Sequence, residues 1–167
     1  LLSFSQKEDY VWIMGYGDGT DSLFTTFTMD FNFDPPVLER RFQDFSFSSF
    51  NATTCDENGE LLLYSNGVDV KNSFNQIIIN GEEFQSSFSY ANGLPIYQGG
   101  MFLKYPNNDK YLFLLGDPFF FEYDGILTTG VSPLSFSEIE NLNNGNQGEV
   151  FLKKEIIIDD TLSLGEF

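Results

Sequence analysis

The stretch CDENGELLLYSNG, residues 55–67, places three acids, two Asn-Gly pairs and three consecutive leucines within a short span. It reads either as an acidic metal loop or as a hairpin. A calcium loop of the EF-hand type needs acids at alternate positions, glycine at the sixth and glutamate at the twelfth. Counted from Asp56, the glycine comes fourth and the twelfth residue is Gly67. The hairpin reading holds instead: Asn58-Gly59 accepts positive φ and closes the turn, Leu61–Leu63 continue as a strand, and Asn66-Gly67 opens the next turn. Asp56 and Glu57 are then solvent-facing turn acids.

Strand signals recur on both sides. YVWIM (10–14) is a short apolar run before a glycine, and FTTFTMDFNF (24–33) alternates Met29, Phe31 and Phe33 with Asp30 and Asn32. Pro35 and Pro36 interrupt it, because a proline lacks the N–H of a ladder and belongs at an edge or in a turn. FSFSSFNATTC, ELLLYSNG, VDVKN and QIIING read as four short strands. GGMFLKYP, YLFLLGD, LSFSEIEN and GEVFLKKEIIID read as four more. Laid over each other, the two units match in pattern at an offset of 50, with Asp56–Leu63 falling on Pro106–Phe113.

A repeat near that length with about four strands per unit is the signature of propeller blades. The expectation is therefore an all-β chain forming part of a β-propeller: about two four-stranded antiparallel blades plus a partial first blade, over residues 7–167. Propellers close with roughly four to eight blades, so the expected chain is the N-terminal part of a longer protein.

Composition agrees with all-β and narrows function. The 167 residues are 41% hydrophobic and 17% aromatic, with 20 Phe and 8 Tyr, the types enriched in strands. The formal charge of −17, from 25 acids against 8 bases, is spread along the chain. It repels phosphate backbones and anionic lipid, which argues against nucleic acid as a partner. No run of apolar residues is long enough for a membrane-spanning helix. There is no His and a single Cys, Cys55. The Ser-His and Cys-His pairs and the zinc sites built on His or several Cys are therefore absent. Cys55, at the end of an apolar strand, reads as a small buried filler. No cofactor and no catalytic residue is expected.

The residues around the opening stretch resemble the N-terminal part of the β-propeller of large secreted or surface proteins of Bacteroidetes, of the gliding-motility-associated or type IX secretion cargo kind. The pattern D-x-N-G-x-L-L-F-Y-T-N-G is carried by Asp56, Asn58, Gly59, Leu61, Leu62, Leu63, Tyr64, Ser65, Asn66 and Gly67, with Leu63 and Ser65 replacing Phe and Thr. Gln98-Gly99 before Met101–Leu103, and Tyr111-Leu112-Phe113, are similar to later segments of that family. The G-x-G-x-V segment is matched loosely, with its first glycine displaced to Gly145. The likeness runs from about Trp12 to Ile158. It implies export across the inner membrane, a secreted or cell-surface location, and a multi-domain parent supplying the remaining blades. Ser3-Phe4-Ser5 after Leu1-Leu2 fits the end of a signal peptide, so residues 1–6 are read as a signal remnant or a frayed terminus.

Three groups are weighed as sites. Asp18 and Asp21, in GYGDGTDS (15–22), could offer carboxylates to a hard cation but lack a third defined ligand, and read as a surface turn. Paired carboxylates could serve a glycosidase, but most acids, among them Asp109, Asp117, Asp124, Asp159 and Asp160, read as turn residues. Phe119, Phe120, Phe121 and Tyr123 are expected in an inter-strand loop between Pro118 and Gly125, as an exposed aromatic patch able to stack on sugars or anchor a protein. The expected function is a non-enzymatic scaffold or adhesion module binding protein or glycan through its loops. The alternative is a module of a carbohydrate-active enzyme.

Overall fold

In a computed structural model, residues 7–15, 26–41, 46–85, 93–97, 99–106, 108–140, 142, 147–160 and 162–163 are described. They are all-β and contain no helix. The first sheet is a meander of β1 (Val11–Met14), β2 (Thr26–Asp30) and β3 (Val37–Arg41). The second is a meander of β4 (Ala52–Cys55), β5 (Leu61–Ser65) and β6 (Val70–Asn72). The third runs β7 (Gly100–Lys104), β8 (Tyr111–Tyr123), β9 (Ile126–Glu140) and β10 (Glu149–Ile158), with β11 (Leu162–Ser163) beside β9 at Gly130 and Val131. All strand pairs are antiparallel.

The Asn58-Gly59 hairpin is present. Gly59 has φ +88°, and the Asp56 carboxylate accepts the backbone N–H groups of Asn58 and Glu60 at 2.8 and 3.0 Å. Gly67 likewise has φ +85° between β5 and β6. At the offset of 50, Asn108 accepts the N–H of Lys110 at 2.9 Å in the turn between β7 and β8. The two turns are local equivalents.

The second sheet departs from the expectation by having three strands, because QIIING does not form a fourth. That segment makes only single bridges, Lys71 with Ile77 and, in parallel, Ile79 with Glu149. Positive φ at Asn75, Asn80 and Glu83 breaks its extension. It serves instead as a link: Ile79 donates to the carbonyl of Gly148 at 2.9 Å and accepts from Val150 at 2.8 Å, joining the second sheet to the third. The first sheet also stops early, as β2 ends at Asp30 and Phe31 to Pro35 turn the chain into β3.

The second sheet sits between the other two. Towards the third sheet it packs Ala52, Leu63 and Val70 into the main core with Phe84, Phe113 and Leu115, all buried. Towards the first it presents Tyr64, buried with Ile13 and Phe47. Each such large side chain taken from water stabilises the fold by about 1.5–3 kcal/mol before ordering costs. The first strands of the three sheets meet, β4 touching both β1 and β7.

Candidate functional site

The segment DPFFFEYDG is not a loop. Residues 111–123 form one strand and 126–140 the next, joined by the two-residue turn Asp124-Gly125, where φ is +50° and +75°. Two positive φ values in succession mark the type I′ turn that Asp-Gly favours, a signal the sequence did carry. Counting back from Tyr123 opposite Ile126, the flanking pair of such a turn, alternate pairs exchange hydrogen bonds, and Pro118 opposite Val131 falls on a pair that does not. The proline is therefore tolerated in the strand, and the bulge between Gly116 and Pro118 absorbs the irregularity.

The ribbon divides the aromatic run between its two faces. Phe119 and Phe121 stack with ring centroids 5.5 Å apart and are part-buried. They lie over Gly130, where a Cβ would come within 2.6 Å of the Phe119 ring. Phe120 faces the opposite way and is 45% exposed. Tyr123 ends the strand, paired with Ile126. The ribbon thus separates Phe120 from the Phe119–Phe121 stack.

Asp117 is likewise not a turn residue. At the bulge of β8 its carboxylate accepts Lys154 Nζ and Gln85 Nε2, both at 2.7 Å. This network ties β8, β10 and the segment before residue 86 together. Asp109 and Asp124 are turn residues, and Asp159 and Asp160 lie exposed beyond β10. Asp18 and Asp21 lie outside the described residues.

A second feature is a cleft of about 460 Å³ between the two equivalent turns. It is lined by Asp56, Glu57 and Asn58 from one, Asp109 and Tyr111 from the other, and Lys104. Sequence reasoning missed Lys104 and Tyr111 here, although the offset of 50 was the clue, since it superposes the turns that the fold places side by side. Tyr111 is buried, and burial, followed by the charges of Glu8, Asp56 and Asp109, pushes its phenol up to about 12. It stays a neutral hydroxyl. Glu8 Oε2 is buried, with no hydrogen-bond partner among the described residues. Among the described residues no three His, Cys, Asp or Glu side chains converge as metal ligands.

Cys55 is fully buried, its sulfur accepting the N–H of Val11 at 3.2 Å. Burial pushes its thiol up to about 11, which suppresses the reactive thiolate. It is a joint between the first two sheets.

Compared with known proteins, the chain matches no family model, no curated protein and no solved structure. What the fold defines is a class: an all-β chain of successive antiparallel meanders.

Proposed function

We propose that this chain is a non-enzymatic binding or scaffold segment of β-propeller type from an exported surface protein. One observation carries the architectural part. Each sheet is a meander in chain order, and the first strands adjoin one another, β4 lying against both β1 and β7. Blades set around an axis have that arrangement, with first strands innermost. The three described sheets are fewer than the four to eight that close a ring, so on this reading further sheets complete it. Export and a surface location rest on the family resemblance of Asp56–Gly67.

The binding part rests on the exposed ring of Phe120 on the β8–β9 ribbon and on an acidic exterior that keeps the particle dispersed. A glycan array and a hydrolase screen on the purified protein test it together. Binding without turnover is expected, weakened by Phe120→Ala with stability unchanged. Hydrolysis as a second reading is favoured by one observation, the presence of Asp56, Glu57 and Asp109 in one cleft. Turnover abolished by Asp56→Asn or Asp109→Asn would establish it in place of the first.

A further inference from the structure

Among the described residues, the stack of three sheets ends in two largely apolar, part-exposed faces. In the first sheet, Val11 and Ile13 point inward and are buried, so their neighbours point outward. The register aligns Trp12 with Met29 and Leu38, and Met14 with Phe27 and Arg40, on that outer face. Trp12 is 44% exposed and Leu38 61%. In the third sheet, Phe102, Phe113 and Ser137 point inward and are buried. Met101, Leu114, Phe136 and Glu155 align on its outer face, as do Leu103, Leu112, Glu138 and Leu152. Met101 is 52% exposed and Leu103 43%.

The faces are complementary. Each is a mostly apolar row, the first ending in the cation Arg40 and the third carrying the carboxylates Glu138 and Glu155. Pairing either face with its own copy would bring charges of only one sign into the contact. Pairing the first with the third sets Arg40 against acids and covers apolar area on both. That is the same kind of contact that the second sheet already makes on its two sides.

We propose that the outer face of the first sheet docks on the outer face of the third sheet of a second copy of this chain. The interface is heterologous and closes when it is made twice. Two copies contribute six of the described sheets, twice the three described in one chain, which falls within the range that closes a propeller. The number of copies rests on the propeller reading above; the pairing of faces rests only on register, exposure and charge.

Sedimentation velocity of the purified chain over a wide concentration range reads this directly. A closed dimer is expected, at twice the 19.0 kDa of the chain. Leu38→Lys, on one face, and Leu103→Lys, on the other, each weaken association by about 30-fold or more, because each buries an unpaired ammonium at the contact. Both positions are exposed in the single chain, so circular dichroism should show the fold unchanged. Mixing the two variants restores a two-chain complex through the one intact pair of faces. Arg40→Glu weakens association, and a second change, Glu155→Arg, recovers it.

A chain that stays monomeric throughout, or one in which only one of the two lysine variants has an effect, overturns the proposal. The first outcome would leave the faces to further sheets of a longer chain, and the second would mean that a face pairs with itself. An open series that lengthens with concentration overturns the closed dimer. None of these outcomes decides between a propeller and another all-β architecture, which imaging decides separately.

Discussion

Asn32, in the turn after β2, donates its side-chain amide to the carbonyl of Gly59 at 2.8 Å, so the hairpin turn of the second sheet is held by the first. The same asparagine fills the space beside Gly59: a Cβ there would lie 2.6 Å from Asn32 Oδ1. Gly59→Val therefore combines a positive φ that a β-branched residue resists with a steric conflict, and should cost about 2 kcal/mol or more in urea unfolding. Glu57→Gln, exposed in the same turn, should change stability by less than about 0.5 kcal/mol. Loss of ligand or metal binding on Glu57→Gln would instead make the turn a site.

Lys154 combines strain and charge. Its φ is +57°, its N–H donates to Ser137 Oγ at 2.9 Å, and its ammonium meets Asp117. Lys154→Ala removes the charge and keeps the strain, with an expected loss of about 1–2 kcal/mol. Lys154→Gly relieves the backbone and should lose less, the order being read from paired denaturation curves.

Asp69 is partly buried, and burial raises its carboxyl above the ordinary 3.8, although the N–H of Glu83 at 3.1 Å opposes the shift. The folded state therefore holds this proton more tightly than the unfolded chain does. The cost of its charge is absent below pH 3.8 and grows as pH rises through the folded value. Asp69→Asn keeps an acceptor for Glu83 and should raise the melting temperature at neutral pH. The difference from the parent should vanish below pH 3.8.

Cys55 gives an alkaline counterpart. With its thiol raised from 9.0 to about 11, the stability it contributes is whole below pH 9.0 and declines as pH rises towards 11. Cys55→Ala should remove that part of the alkaline decline. A thiol reagent at pH 8 should label the native protein only as fast as it unfolds.

The legible parts of the fold were those set by local chemistry. Asn58-Gly59 and Asn66-Gly67 place their turns because few residues accept those φ values, and the offset of 50 anticipates the equivalent turn at Asn108. What escaped depended on pairing. Pro118 and three consecutive phenylalanines look like a loop until the register puts the proline at a pair that needs no N–H. Ile77 to Ile79 look like a strand until the asparagines around them turn the chain towards β10. Asp117 looked like a turn acid because its partners, Gln85 and Lys154, lie 32 and 37 residues away. The cleft beside Tyr111 was half visible: the offset of 50 superposes its two turns, but no local pattern brings Lys104 and Tyr111 to them.

The central claim is that the sheets are blades around an axis, with β1, β4 and β7 innermost. Cryo-electron microscopy of the protein in its assembled form tests it most directly. The account predicts a ring of sheets with those three strands lining a central channel. Two sheets stacked face to face, with β1, β4 and β7 apart, would contradict it.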